Sequence, residues 1–593
     1  MTNMTLRAAR RGVVFGAVVA ASIAGFTPAF AQTLEENPAS LTFGPQVAVL
    51  SGMALASNPD DPTPFGIDLA GIAVVDANTH GLAARPRSKV GIDTSLADAT
   101  AQSGALRIIL AKYLGRPLSY QVISQIRADI TQYYRDAGRS LVNVTVPPQE
   151  ITAGVLQVNV NTFVLETTRV EGAPAAATDF LTRQVRLQPG QEVDTDRLLE
   201  DVNWLNLNPF RNTSVVFEPG ATPASTQLIL QVTNSRPWAG FVGVSNSGPP
   251  DTGDIRLFGG FNISAPQWQD QQLSYQFTGA PDNLAEFDLW DTGTTKGYLS
   301  NSLTYFIPLT FQSGLRTKLT FGASHISSFS VSDAVNQAAT ETSVANVELA
   351  FPLSKTKGSF ALQPEFYLQA EYNDYDRTQF FAGLPIAEKT RLWHGVVGLR
   401  AGITGTMFSK KSRGNADIGL VFGEQDTTQD LGAAVDGAYS LLKFSVSQEI
   451  FLNPDRSVEM RVNGQHAFSS PGPDLHPLAQ MALGGEGTVR GYSVNGVASS
   501  TALAASLQIN FATINFKLGA GAATFRPNTF LDLGFADRTS TTPIARMAAI
   551  GIGGEIGIGE NLVGSVSLAN PLLDAEGTRK GESNIAFQLT SRF

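Results

Sequence analysis

The 593-residue sequence has no cysteine, so disulfides, thiolate metal centres and cysteine nucleophiles are all excluded. Charged residues make up only 16% of the chain, fewer than a soluble acidic protein usually carries. The five histidines, His80, His325, His394, His466 and His476, are scattered. None forms an HExxH or other paired spacing, so no metal site is expected. No nucleophile elbow and no phosphate-binding loop occurs, and no Ser or Asp has a plausible base and orienting partner. The expectation is a protein without enzyme chemistry and without a cofactor. A net charge of −10 argues against nucleic acid as a partner. Past the N-terminus there is no uninterrupted apolar run of roughly eighteen residues, the length a spanning helix needs.

The N-terminus carries an address. Arg7, Arg10 and Arg11 precede an apolar stretch from Gly12 to Phe26, and Ala29-Phe30-Ala31 offers small residues for cleavage. This is the layout of a secretory signal peptide over residues 1–31, with an uncleaved anchor as the alternative. An exported chain with no spanning helix is either soluble or a β-barrel in an outer membrane. High glycine (56) and phenylalanine (35) with little charge favour the barrel.

The pattern changes at about Arg236-Pro237. Residues 32–64, with Asn58-Pro59-Asp60-Asp61-Pro62, read as a linker holding one short helix candidate around Val47–Ala56. Residues 65–162 and 163–235 read as two successive β-α-α-β-β units of a size that suits small domains. The better helix of the first, Gln121–Ala137, places Val122, Ile123, Ile126, Ile130 and Tyr133/Tyr134 at helical spacing and ends at Gly138. From residue 236 to 593 the chain alternates apolar and polar residues, as in Leu442/Phe444/Val446 against Lys443/Ser445/Ser447. Such alternation puts one face in apolar surroundings and the other in water. Strands are predicted near 238–248, 254–266, 271–281, 297–309, 314–328, 342–354, 359–375, 389–405, 413–425, 439–452, 456–470, 498–512, 526–536, 545–556, 561–571 and 583–593. That makes sixteen, an even number, as a closed up-and-down barrel requires. A soluble array of β-sandwiches would also alternate, but would not run on in this way to a terminal aromatic.

Several motifs together resemble the two-partner-secretion outer-membrane transporters, the TpsB family, whose members secrete haemolysins and filamentous adhesins. The first small unit carries Tyr113-Leu114-Gly115-Arg116-Pro117-Leu118, Tyr133-Tyr134-Arg135-Asp136-Ala137-Gly138 and Val146-Pro147-Pro148-Gln149, in the order of a POTRA domain. The second carries Leu187-Gln188-Pro189-Gly190, Leu205-Asn206-Leu207-Asn208-Pro209 and Glu218-Pro219-Gly220. Most specific are Val489-Arg490-Gly491-Tyr492, between the eleventh and twelfth predicted strands, and Phe530-Leu531-Asp532-Leu533-Gly534 on the thirteenth. The resemblance implies that this loop folds back into the lumen, where Arg490 meets Asp532 beside Phe530 and Gly534. In the alternative arrangement, a surface Arg490 and a lumen Asp532 never meet. Phe593 ends an alternating strand and resembles the sorting and closure signal of outer-membrane barrels. Two departures from the family pattern stand out: residues 32–64 offer only that short helix where a lumen plug usually lies, and Asn78–Gly104 is extra sequence.

The implied fold is a membrane β-barrel of sixteen antiparallel strands preceded by two small periplasmic α+β POTRA-like domains, in the outer membrane of a Gram-negative bacterium. The implied partners are outer-membrane lipid, the barrel-assembly machinery during biogenesis, and a secreted exoprotein, a large β-helical adhesin or haemolysin type. The implied function is capture of that exoprotein, unfolded, and its passage through the lumen. The rival readings are a barrel-assembly insertase, which usually carries more POTRA units, and a diffusion porin, which needs none. Nothing in the sequence names the cargo.

Overall fold

The structure is a computed structural model that describes residues 61–80, 90–139, 141–222, 224–264, 269–282, 297–331, 336–356, 360–381, 384–430, 435–519, 521–540, 543–559, 561–575 and 577–593. The expected signal peptide and helix candidate of the linker lie outside the described residues. The chain forms two compact units, one ending at Pro237 and the other resuming at Trp238.

The N-terminal unit contains two small sheets, each covered by helices. In the first, β1 (Gly71–Asp76), α1 (Ala77–His80), β2 (Gly91–Leu96), α2 (Gly104–Ala111), α3 (Tyr120–Asp136), β3 (Val142–Thr145) and β4 (Val155–Thr162) give the strand order β2-β1-β4-β3. Helix α3 starts where the Ser119 hydroxyl accepts the Val122 N–H at 3.2 Å, capping an otherwise orphaned donor. Its buried face is Val122, Ile126, Ile130 and Tyr134, a four-residue repeat that packs on Leu156 and Val158 of β4. The extra sequence supplies β2, which adds in parallel to the outer side of β1.

In the second sheet, β5 (Val164–Glu171), α4 (Ala175–Gln184), α5 (Thr195–Leu205), β6 (Arg211–Pro219) and β7 (Ser225–Asn234) give the order β5-β7-β6. No added strand covers β5 among the described residues, so β5 is an edge. The two sheets are joined at the end of α3. The Gly138 carbonyl accepts from the Thr195 N–H at 3.0 Å and from its hydroxyl at 2.9 Å. Arg139 pairs with Asp98 at 3.2 Å and with Glu192. Burial, helped by a hydrogen bond to Asp98, pushes the Tyr134 hydroxyl far above its ordinary range, so it stays a donor.

The second unit is one closed sheet. Its strands are β8 (Trp238–Ser245), β9 (Arg256–Ile263), β10 (Gln272–Gly279), β11 (Gly297–Thr310), β12 (Arg316–Val331), β13 (Asn336–Pro352), β14 (Phe360–Phe381), β15 (Leu384–Met407), β16 (Lys410–Gln429), β17 (Gly437–Asn453) and β18 (Arg456–Ser469). A small hairpin, β19 (Met481–Leu483) with β20 (Val497–Ser499), interrupts the sequence and pairs only with itself. The barrel resumes with β21 (Ala502–Asn510), β22 (Ile514–Leu518), β23 (Gly521–Ala536), β24 (Ala545–Ile558), β25 (Leu562–Pro571) and β26 (Asn584–Arg592). β21 and β22 are two pieces of one strand, because both pair with β23. Counted so, sixteen antiparallel strand positions close the barrel among the described residues.

The alternation seen in the sequence sorts side chains between the two faces. On β16, Ile418, Leu420 and Phe422 are exposed outward, whereas Asp417 on the inner face accepts a hydrogen bond from Tyr367 at 2.9 Å. Inside, Arg400 pairs with Glu348 at 2.5 Å and Glu365 at 3.3 Å, and Lys318 with Glu365 at 2.5 Å. Each of the sixteen predicted strands has its counterpart, but β14, β15 and β16 run further than predicted at the end away from Trp238. There polar residues such as Asp376, Thr378, Glu388 and Thr428 enter both faces and the alternation fades while the ladder continues, aided by Lys389–Asp376 at 2.8 Å and Arg391–Asp374 at 3.4 Å. β22, all five of whose residues are exposed, lies beyond the twelfth expected strand, which ends at 512.

Closure falls to the last residues. β26 pairs with β8, and beyond it Phe593 exchanges two main-chain hydrogen bonds with Gly240, at 2.9 and 3.0 Å. The Phe593 ring lies across Gly240, where a Cβ would come within 2.6 Å of it. Deleting Phe593 removes this last rung and the ring contact. The expected result is a clear fall in heat-modifiable barrel recovered from membranes, read by gel migration with and without boiling; unchanged recovery would contradict it.

Candidate functional site

The loop between β18 and β21 does not stay at the barrel mouth. Its tip, Val489 to Tyr492, is buried against the inner wall formed by β21, β23, β24 and β25. Gly491 has φ +87°, and a Cβ there would lie 2.9 Å from the Ala569 Cβ on β25. A side chain would be both strained and blocked at this turn. Gly534 on β23 is needed for another reason: a Cβ there would meet the Val489 side chain at 2.7 Å. Val489 therefore seats on the bare backbone of Gly534.

Seating Val489 and turning at Gly491 aims Arg490 at Asp532. The Arg490 Nε and Nη2 atoms donate to the two Asp532 carboxylate oxygens at 2.7 and 2.8 Å, and the Arg490 main-chain N–H donates to Oδ2 at 3.1 Å. This is a two-pronged pair that a planar guanidinium makes and an ammonium does not. The remaining donors reach β21: Nη1 to Gln508 at 2.8 Å and Nη2 to Ser506 at 3.1 Å. Ser506 in turn donates to Asp532 at 2.7 Å. The guanidinium carbon lies 3.4 Å from the centre of the Phe530 ring, a cation–π contact that adds to the pair. Asp532 is only 1% exposed, so neither charge can fall back on bulk water.

The tip has further ties. The Tyr492 hydroxyl accepts the Ala548 N–H at 3.0 Å and sits 2.9 Å from the Leu573 carbonyl, to which it donates. Glu486 accepts from Ser567 at 2.8 Å, and the Ser493 N–H donates to Thr578 at 2.9 Å. The site residues expected from the two motifs are thus in one place, Val489, Arg490, Gly491 and Tyr492 against Phe530, Asp532 and Gly534, while Leu531 and Leu533 of the second motif are exposed on the outer face. Phe593 lies apart from them, at the seam between β26 and β8. Ser506 and Gln508 were missed. Their positions between outward Leu503, Leu507 and Ile509 mark them as inward-facing, which is the signal that finds them.

Among the described residues no group of His, Asp or Glu could hold a metal ion. The site is a clamp, whose carboxylate and hydroxyl, Asp532 and Ser506, are engaged by Arg490 and by each other.

Comparison with known proteins assigns the architecture. Residues 224–556 match the family described as haemolysin secretion/activation protein ShlB/FhaC/HecB, and residues 91–162 match the ShlB-type POTRA domain. The chain belongs to the ShlB/FhaC/HecB family. It is 22% identical over 403 residues to the heme/hemopexin transporter protein HuxB of Haemophilus influenzae, covering 65% of each chain. It is 24% identical over 166 residues to the outer membrane transporter CdiB of Dickeya dadantii, 27% of this chain and 29% of that one. The alignments thus span less than two thirds of these relatives' own lengths. The fold is that of CdiB from Escherichia coli, with TM-score 0.66 at 16% identity over 95% of this chain and 97% of that one. CdiB from Acinetobacter baumannii gives TM-score 0.59 at 14% identity, covering 95% and 96%. The protein sits in the outer membrane with its POTRA domains in the periplasm. The barrel end with Trp238 and Phe593 is therefore periplasmic, and the inturned loop enters from the extracellular end.

Removing one partner of the clamp leaves a buried charge uncompensated, a cost of about 3–5 kcal/mol. Arg490→Ala and Asp532→Ala should each release the loop tip, making it cleavable by protease added to intact cells, while the barrel stays heat-modifiable. Exchanging the two charges, Arg490→Asp with Asp532→Arg, should restore part of the protection, since the pair itself returns. Arg490→Lys should protect poorly. A loop equally resistant in wild type and both alanine variants would show that the pair does not hold it.

Proposed function

We propose that the protein carries an unfolded partner exoprotein across the outer membrane, in two-partner secretion: the POTRA domains capture it in the periplasm and the barrel lumen passes it to the cell surface. The observation that carries this reading is the buried Arg490–Asp532 clamp on a loop folded into a polar lumen, in a chain that also holds two small domains with sheet edges. A simple diffusion pore needs neither. Membership of the ShlB/FhaC/HecB family, and likeness to a heme/hemopexin transporter and to CdiB transporters, support it.

Capture relies on main-chain chemistry. An edge strand presents unpaired N–H and C=O groups, and an extended segment adds to it with little demand on sequence. β5 is such an edge beyond Leu165, which bonds Gly190 and Gln191; its exposed residues Thr167, Arg169 and Glu171 alternate with half-buried Glu166, Thr168 and Val170. In the first sheet the corresponding side of β1 is taken by β2, so there the free edges are β2 and β3. Passage then needs no hydrolysable nucleotide: folding outside makes each exported stretch unable to return. The cargo is a large β-helical adhesin or haemolysin type, and the barrel-assembly machinery inserts the transporter itself.

Removing residues 65–234 should leave a barrel that still reaches the outer membrane but secretes no cargo. Purified 65–234 should bind the N-terminal region of the partner exoprotein, by calorimetry or pull-down. Secretion by the barrel alone, with no binding to 65–234, would remove the capture step.

A further inference from the structure

We infer that the root of the inturned loop, Asp474–Gln480, is a second latch that holds the loop across the lumen and must let go for export. The inference rests on the transport reading above but concerns a different part of the loop from the Arg490 clamp. The root follows β18 and turns inward to dock on the opposite arc of the wall. Leu475, Leu478 and Ala479 pack on Ile326 of β12, Val344 of β13, Tyr375 of β14, Leu392 of β15, Val421 of β16 and Leu441 of β17. Elsewhere the inner wall carries ion pairs such as Arg400–Glu348 and Lys318–Glu365. An apolar patch of this size facing a water-filled passage would be costly unless covered. The loop root covers it.

His476 locks the docking and is only 7% exposed. Its Nδ1 lies 3.3 Å from the Leu478 N–H. An amide can only donate, so Nδ1 accepts and Nε2 carries the ring proton. Nε2 then donates to Glu388 of β15 at 3.2 Å, and Arg377 of β14 stands 4.0 Å from the same carboxylate. The His476 main-chain N–H donates to Gln425 of β16 at 3.3 Å, and the imidazole meets the Tyr375 ring edge-on at 5.2 Å. On the other side, Gln465 of β18 donates to the Ala479 carbonyl at 2.7 Å, and Asp474 accepts from the Ser540 N–H at 2.6 Å.

The loop is consequently pinned on two arcs. Its root sits on β12 to β17 and its tip on β21 to β25. Between them the chain crosses the extracellular half of the lumen, in the path of any exported polypeptide. Breaking the tip clamp alone leaves the root in place. Opening the passage needs both to yield, and the root is held by the His476–Glu388 hydrogen bond, by the bonds with Gln425, Gln465 and Ser540, and by its apolar contacts.

The test uses the full-length protein in planar lipid bilayers, with ion conductance as the readout, so it does not depend on knowing the cargo. A hydrogen bond to a charged group contributes about 1.5–3 kcal/mol, so His476→Ala should raise the open fraction about tenfold or more. Glu388→Ala should do the same, whereas Glu388→Gln, whose amide oxygen still accepts from Nε2, should stay near the wild-type open fraction. This rescue separates a latch from general loosening of the barrel. Because the chain has no cysteine, His476→Cys with Glu388→Cys can be joined selectively by a short, reducible bis-thiol reagent. The joined protein should lose its open events and its export, and regain both on reduction. Conductance unchanged in His476→Ala, or open events undiminished in the joined protein, would overturn the latch. Failure of export in every variant and in wild type, with the conductance changes as expected, would instead count against the transport reading.

Discussion

A sheet placed in hydrocarbon has no water to satisfy its edges, and that constraint organises this protein. Every main-chain donor in the membrane must find a carbonyl on a neighbouring strand, so the sheet must close. Closure makes the first and last strands depend on each other across the whole sequence: β8 pairs with β26, and the rung beyond joins Gly240 to Phe593. Closure also creates an inner wall that faces water, where one residue in two is polar or charged. The lumen and the lipid face are two readings of one alternation.

A passage lined in this way would leak if it stood open. The inturned loop answers that with chemistry suited to a wet interior. Apolar contact alone would hold it weakly at the tip, because the wall residues it meets are mostly alanines, Ala502, Ala504, Ala536 and Ala549, with Met547. A charge pair out of reach of bulk water, with Asp532 at 1% exposure, makes displacement of one partner costly for the other. The extra donors to Ser506 and Gln508, and the Phe530 ring beneath the guanidinium, fix Arg490 in one orientation. The root uses the reverse solution, an apolar seat with hydrogen bonds around it, the imidazole–carboxylate bond of His476 and Glu388 among them. In the N-terminal unit the proposed capture would use main-chain edges, which suit recognition of a segment by its extended backbone.

Much of this was legible in the sequence because period-two alternation and short-range turn chemistry are local. Leu531, Asp532 and Leu533 alone state which way Asp532 faces, and Gly491 and Gly534 mark where backbone must approach backbone. The same logic found sixteen strands. It lost accuracy where a strand leaves the membrane, as at Asp374–Gln379 and Glu388–Lys389, since a ladder in water needs no alternation. β22 lies beyond the twelfth expected strand, which ends at 512, although Ile514, Phe516 and Leu518 alternate with Asn515 and Lys517 there. The placement of β2 beside β1 was hidden because a parallel pairing has no hairpin to announce it. His476 read as one of five scattered histidines; only the fold brings Glu388 and Gln425, far earlier in the chain, to meet it.

The central claim is that an unfolded polypeptide passes through the lumen, and adjacent residues of β18 allow a direct measurement. Asn463 faces inward, accepting a hydrogen bond from Ser445 at 2.8 Å, while its neighbour Val462 lies opposite Val446, which is exposed on the lipid face. A photoreactive amino acid placed at each position, in cells exporting the partner exoprotein, reports which face the cargo touches. The account predicts light-induced adducts with cargo from position 463 and none from position 462. Equal adducts from both positions, or adducts from 462 alone, would contradict passage through the lumen.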